Sequence, residues 1–240
     1  MKIHAHILAY NEEMILPFTL DYYSVFCEKI FIYDNMSTDS SDEIYKKYEK
    51  VNVIKWESNN RINELNYVRI KSEEYKRRSR NQNVDWVIVC DCDEFLYHPF
   101  LLEKLEDYKK NKITIPKISG HDMISEEFPI YDGLLITEKI KCGTERNEMM
   151  CKNIIFNPDI NLEYEIGAHS CIADNGVYSR YEEIKLLHYK FLSKKYVKEI
   201  FENRKKRLSK YNLKNGYGIH YIEYSDEVFE EKLKNKVKLI

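Results

Sequence analysis

Through the first hundred positions, short apolar runs alternate with amphipathic stretches. Ile3 to Tyr10 is a β-type run that stops at Asn11-Glu12-Glu13. A helical pattern follows from Ile15 to Phe26, with Pro17 in the first turn, where its missing N–H is harmless. Ile30-Phe31-Ile32-Tyr33 predicts a second strand, closed by Asp34-Asn35-Met36-Ser37-Thr38-Asp39-Ser40-Ser41, a loop leading into a helix cap. A helix over 42–50, a strand from Val51 to Trp56, a long charged helix from Ile62 to Arg80 and a fourth strand from Trp86 to Cys90 complete the series. This alternation predicts an α/β fold of parallel βαβ units with helices on both faces of the sheet.

After Phe95 the pattern changes. A helix over Leu101 to Lys110 leads to a strand over Lys112 to Ile118, and 119–150 reads as polar and irregular. Strand-like runs return at 133–140, 151–156, 169–173 and 185–191, and helices are expected over 193–210 and 225–237. Neither a repeat nor a linker interrupts the chain, so 1–240 is read as one domain in three parts, 1–98, 99–192 and 193–240.

With 240 residues and 43% hydrophobic content the chain can bury a sizeable core. A formal net charge of -2 excludes generic nucleic-acid binding driven by counterion release. Cys27, Cys90, Cys92, Cys142, Cys151 and Cys171 form no Cys-x-x-Cys pair, which points to reduced thiols rather than a zinc ribbon or a disulfide framework. The opening Met1 to His6 lacks the apolar stretch of a signal peptide, and no run reaches the roughly 18 apolar residues of a spanning helix. The expected location is therefore cytoplasmic, extending at most to the inner face of a membrane. Lys194, Lys195, Lys198, Arg204, Lys205, Lys206 and Arg207 read first as a solvated helix face. Their functional reading is contact with anionic lipid, each basic residue contributing about 1 kcal/mol near such a surface.

The chemistry concentrates where strands end. Asn11-Glu12, Asp34-Asn35 and Asp91-Cys92-Asp93 follow three apolar runs, and in a parallel sheet they gather at one edge, where α/β folds bind ligands. Two carboxylates one residue apart can share a divalent cation with a diphosphate, since Mg²⁺ prefers oxygen ligands and keeps positions open for substrate phosphates. Asp34 suits a ribose or base edge, and Asn11 with the backbone of Ala9-Tyr10 suits a nucleobase, although turn-and-cap chemistry is the plainer reading of Asp34-Asn35. Arg61, Arg69 and Lys152 are candidates for the diphosphate. Cys90 and Cys92 alternate with the aspartates and are read as packing residues. His169 and His188 are candidate ligands, neutral imidazole being suited to Mn²⁺.

Three ordered motifs, His6-Ile-Leu-Ala-Tyr-Asn-Glu-Glu, Ile32-Tyr-Asp-Asn-Met-Ser-Thr-Asp-Ser-Ser and Asp91-Cys-Asp-Glu-Phe-Leu, resemble GT-A-fold nucleotide-sugar glycosyltransferases, particularly a family 2-like group similar to family 92. Cys151-Lys-Asn-Ile-Ile, Gly167-Ala-His169 and Leu187-His188-Tyr189, with Ser193 downstream, resemble the same group more thinly. The resemblance implies a Rossmann-like, mostly parallel sheet with a mixed acceptor-side half and C-terminal helices. It implies a nucleotide-diphosphate sugar donor, Mn²⁺ or Mg²⁺, a glycan or glycolipid acceptor in bacterial surface polysaccharide or lipopolysaccharide synthesis, and inversion at the anomeric carbon. Asp93 would hold the metal, with Asp91 near the ribose or metal, Asp34, Asn35 and Glu12 at the nucleoside, and His188 returning to the metal or diphosphate. The family's usual base pair has no clean counterpart. Asp122 is the leading candidate, with Glu126, Glu127 and Glu182-Glu183 as others. A nucleotidyltransferase would need a Gly-rich phosphate loop where Tyr10-Asn11-Glu12-Glu13 stands. A catalytically inactive nucleotide-sugar-binding module is the other rival.

Overall fold

A computed structural model describes all residues 1–240. Its first half contains β1 (Ile3–Ala9), α1 (Leu16–Ser24), β2 (Lys29–Asp34), α2 (Ser41–Tyr45), β3 (Val51–Lys55), α3 (Glu64–Arg78) and β4 (Trp86–Asp91). The chain continues through β5 (Glu94–Tyr97), α4 (Leu101–Lys110), β6 (Ile118–Ile124), α5 (Ile136–Lys139), β7 (Cys142–Gly143), β8 (Ile155–Phe156), β9 (Asn161–Tyr164), β10 (Cys171–Asp174) and β11 (Ile184–Phe191). It ends with α6 (Lys194–Arg207), α7 (Lys210–Lys214), α8 (Asp226–Lys234) and β12 (Val237–Lys238). No helix is long and apolar enough to cross a membrane.

The fold is α/β. A five-stranded sheet has the order β3-β2-β1-β4-β8, in which β3, β2, β1 and β4 run parallel and β8 is antiparallel to β4. Every residue of β1 is buried, as expected for a strand covered on both faces. A second five-stranded sheet, β12-β7-β6-β11-β5, is mixed, with only β6 and β11 parallel. The largest core cluster draws on both sheets, from Ile3 and Trp86 through Phe95 to Leu187 and Tyr196. Capping follows the sequence signals: Asn63 accepts from Leu65 N at 3.1 Å to start α3, and Ser193 accepts from Tyr196 N at 3.1 Å to start α6.

The second half departs from the expected elements for local reasons. The strand anticipated over Lys112 to Ile118 begins only at Ile118, because Pro116 cannot donate to a ladder and Lys112 turns through a positive φ of 58°. The strand instead runs through 118–124, inside the stretch that reads as irregular. His121 and Asp122 are buried and hydrogen-bonded there, and Gly120 leaves room for the Met150 backbone, which an added Cβ would meet at 2.1 Å. The strand-like run 133–140 is a single helical turn, α5, closed when Glu138 accepts from Leu135 N at 2.9 Å. Of 151–156 only Ile155 and Phe156 pair in a sheet, and Glu94–Tyr97, which the pattern does not announce, is a strand.

Candidate active site

β1 is flanked by β2 and β4, with Ala9 opposite Asp34 and Leu8 opposite Asp91. The chain steps outward from β1 to β2 and β3, then crosses back to β4 on the other side. A crevice opens where the order reverses, beyond the carboxyl ends of β1 and β4. The resulting cleft of about 410 Å³ is lined by Ala9, Tyr10, Asn11 and Glu12 after β1, by Asp91 and Asp93 at the end of β4, and by Lys152, His169 and His188 from the second half. The sequence-predicted Asn11-Glu12 and Asp91/Asp93 clusters therefore meet.

Asp91-Cys92-Asp93 is also where the chain leaves the first sheet for the second. β5 pairs antiparallel with β11, with Glu94 opposite His188, and Tyr189 N donates to Asp93 O at 2.7 Å. This pairing seats the His188 ring beside Asp93, with Nε2 3.3 Å from Asp93 Oδ2. The other ring nitrogen, Nδ1, is 2.8 Å from Asp122 Oδ1, and Asp122 Oδ2 accepts from Lys232 Nζ at 2.8 Å and from Asn147 Nδ2 at 3.1 Å. Burial works against protonation of His188, but the Asp93 and Asp122 carboxylates more than offset it and raise its pKa. Burial likewise opposes ionisation of Asp93, yet His188, Arg204 and Lys190 hold its carboxyl well below the usual range.

Each neighbouring acid has its own cation. Lys71, buried in α3, sits 2.9 Å from Asp91 Oδ1. Lys152 Nζ donates to Glu94 Oε1 at 2.5 Å, while Glu94 Oε2 accepts from Asp91 N at 3.0 Å. Glu12 lies 3.7 Å from Arg204. Burial pushes the Glu12 carboxyl up to about 8; Arg204 opposes this, and Asp93 and Asp91 reinforce it. Lys190 has no acidic partner and stands over the Phe201 and Tyr221 rings, its pKa lowered by burial.

The donor set can be tested against a divalent cation. No group of three or more imidazole, thiol or carboxylate side chains converges on one point. Only Oδ1 of Asp91 and Oδ2 of Asp93 have protein partners, so each carboxylate keeps one oxygen available. An Mg²⁺ or Mn²⁺ ion held by two such oxygens would take its remaining ligands from phosphates and water. His188 presents both ring nitrogens to carboxylates, Nε2 to Asp93 and Nδ1 to Asp122.

Several predicted residues stand elsewhere. Asp34 is fully buried, with its carboxylate accepting from Ser37 N (2.8 Å), Tyr45 OH (2.8 Å) and Lys55 Nζ (3.0 Å). Asn35 is buried against Ser58 and Tyr67. Neither lines the cleft. Arg69 is exposed outside the cleft, and Arg61 donates to Lys206 O at 3.1 Å. Asp122 lies behind His188, on a second cavity of about 370 Å³ that shares Met150, His188, Lys190 and His220 with the first. Glu182 pairs with Arg146, Glu183 with Lys104 and Glu126 with Lys236; these three and Glu127 line neither cavity. His169 lines the cleft with Nδ1 2.6 Å from Met149 O. Cys90 and Cys92 are buried free thiols.

The cleft is also lined by Lys71, Lys190, Tyr67 and Tyr221, which the sequence pattern does not single out, and by Arg204 and Arg207, which it places on a solvated helix face. For the arginines a signal exists. Val197, Ile200 and Phe201 mark the inward stripe of α6, and Arg204 and Arg207 continue it at helical spacing. Lys195, Lys198, Lys205 and Lys206 face solvent. The basic cluster is thus two sets, one turned into the cleft and one outward.

No protein-family model matches the chain, and no curated protein does. Among solved structures, the chain is similar to S. aureus TarS 1-349, with 14% identity and a TM-score of 0.48 over 96% of this chain and 69% of that one. The same TarS fragment in complex with UDP-GlcNAc gives 14% identity and a TM-score of 0.48 over 96% and 70% of the two chains. The longer TarS structure gives 13% and 0.47 over 97% and 42%.

Proposed function

We propose that this protein moves a sugar from a nucleotide-diphosphate sugar to an acceptor hydroxyl. The observation that carries this reading is the convergence of Asp91 and Asp93, each with one free carboxylate oxygen, on a switch-point cleft whose walls also supply Lys190 and Arg204. Such a site suits a diphosphate, a dianionic group that needs both cationic contacts and a shared cation.

In this reading Asp91 and Asp93 hold Mn²⁺ or Mg²⁺, which when bound neutralises charge on the departing diphosphate. Arg204 and Lys190, both near Asp93, bind the same phosphates. Tyr10, Asn11 and Ala9 lie on the nucleoside side, and His169 and Lys152 border the sugar. Lys152 holds Glu94, which in turn accepts from the Asp91 backbone and so fixes the turn. His188 braces Asp93 from behind through the Asp122 pair, keeping the carboxylate ionised and oriented. The second cavity receives a glycan or glycolipid acceptor, whose hydroxyl oxygen bonds to the anomeric carbon in a single inverting displacement as the bond to the diphosphate oxygen breaks, the nucleoside diphosphate leaving and the hydroxyl proton passing to solvent water. Asp122 lines that cavity, but its depressed basicity suits orientation of an acceptor hydroxyl better than removal of its proton. The outward lysines of α6 offer peripheral contact with an anionic membrane surface, in keeping with surface polysaccharide or lipopolysaccharide synthesis.

The test is release of nucleoside diphosphate from a panel of nucleotide sugars with Mn²⁺ or Mg²⁺. Turnover of at least one donor, dependent on the cation, is expected. Binding of a donor without turnover, with any acceptor supplied, would leave only a binding module, and no binding at all would remove the reading.

A further inference from the structure

Arg207 belongs to none of the ion pairs above. It is 8% exposed, its Nε and Nη2 are buried without a hydrogen-bond partner, and it forms no salt bridge. A guanidinium cannot shed its proton to escape burial, and burying it unpaired is costly. Its backbone carbonyl accepts from Ile62 N at 2.7 Å, which anchors it beside the start of α3. Its Cζ lies 3.1 Å from the centroid of the Tyr10 ring, and that ring is fixed by Tyr10 OH donating to Asn60 Oδ1 at 2.9 Å. The side chain lines the cleft, with the Tyr67 hydroxyl as its hydrogen-bonding neighbour and two of its donors left unpaired.

The cleft has two unlike ends. Around Asp93 the cations that act most strongly are His188, Arg204 and Lys190, and Glu12 lies near the same group. Around Arg207 the strongest influences are the Tyr67 and Tyr10 hydroxyls and Arg204, and no carboxylate forms an ion pair with it, although Glu64 lines the same stretch of the cleft. One end is ionic and suits a diphosphate. The other is aromatic, with Tyr10, Tyr67 and Ile62, and suits a base, which stacks on such rings.

We propose that Arg207 reads the carbonyl edge of the donor's base, so that the donor nucleotide carries uracil or guanine rather than cytosine or adenine, an inference that rests on the nucleotide-sugar reading above. A guanidinium offers N–H donors in a planar fork and no acceptor. Uracil and guanine present a carbonyl oxygen where cytosine and adenine present an amino group, and an amino group would set donor against donor. A phosphate contact is the competing role. Lysine separates the two, since a point charge can serve a phosphate but cannot reproduce the fork.

Calorimetric titration of UDP, GDP, CDP and ADP with Mg²⁺ into the wild-type, Arg207→Lys and Arg207→Gln proteins tests this, with circular dichroism and thermal unfolding reporting whether each variant folds. The wild-type protein is expected to bind UDP or GDP at least about tenfold more tightly than CDP and ADP. Arg207→Lys is expected to keep its CDP and ADP affinity and lose the preference, and Arg207→Gln to lose it as well. Equal binding of all four by the wild-type protein overturns the inference. So does an Arg207→Lys variant that weakens all four alike, or a preference that survives both substitutions. Those three results leave the nucleotide-sugar reading standing, whereas failure of all four nucleotides to bind removes that reading and this inference together.

Discussion

Asp34 and Asp91 each end a short apolar strand of the same parallel sheet, yet their fates differ. Asp34 has no exposed side-chain surface, and its oxygens are shared among Ser37, Tyr45 and Lys55. It closes the loop after β2. At the other tip Asp91 keeps 40% of its side-chain surface, and one oxygen each of Asp91 and Asp93 has no protein partner beside a cleft. A strand-end acid becomes a site only when the neighbouring elements leave it short of partners. The chain reversal between β1 and β4 does that for the 91/93 pair, while α2 and β3 crowd over Asp34.

Three substitutions bear on this contrast. Asp93→Asn removes the charge from the open tip and is expected to lower donor turnover by about a thousandfold, the size of losing several kcal/mol of charge stabilisation. Steady-state kinetics on a folded variant would show it, and near-normal turnover would mean the open tip is idle. Asp34→Ala should act oppositely, lowering stability by about 2 kcal/mol as buried donors lose their acceptor, while the folded fraction keeps its donor affinity. Urea unfolding paired with nucleotide titration separates the two effects, and lost affinity at full stability would make Asp34 part of the site after all.

The smallest effect concerns a closed cluster that is neutral. His6 Nδ1 lies 2.8 Å from Tyr33 OH, and His6 Nε2 and His4 Nδ1 each lie 2.8 Å from Ser79 Oγ. Burial, with help from His4 and Arg78, holds the His6 pKa well below its ordinary value. Below pH about 6.5 the unfolded chain therefore takes up a proton that the folded one refuses, and stability falls as the pH drops toward the folded pKa. His6→Phe should flatten that fall between pH 7 and pH 5 in urea titrations, and an unchanged slope would rule out this cluster as its source.

The first sheet is legible in the chain because its strands are continuous apolar runs punctuated by polar turns, and the meeting of Asn11-Glu12 with Asp91/Asp93 follows from parallel topology. The closure of Asp34 is not legible, since Lys55 and Tyr45 come from other elements and nothing in the local pattern couples them. β6 is hidden for a different reason: Ser119-Gly120-His121-Asp122 has a loop's composition and is stabilised as a strand by Thr144, Asn147 and His188. Arg204 and Arg207 were in reach, because they extend the apolar stripe of α6, but the surrounding lysines mask the period.

The central claim is that the 91/93 tip grips a nucleotide diphosphate through a shared cation. Crystals grown with Mn²⁺ and a nucleoside diphosphate, measured for anomalous scattering, test it directly. A manganese peak in contact with Asp93 and with the diphosphate oxygens is expected. A nucleotide bound elsewhere, or bound in the cleft with its phosphates turned away from Asp91 and Asp93, would contradict it.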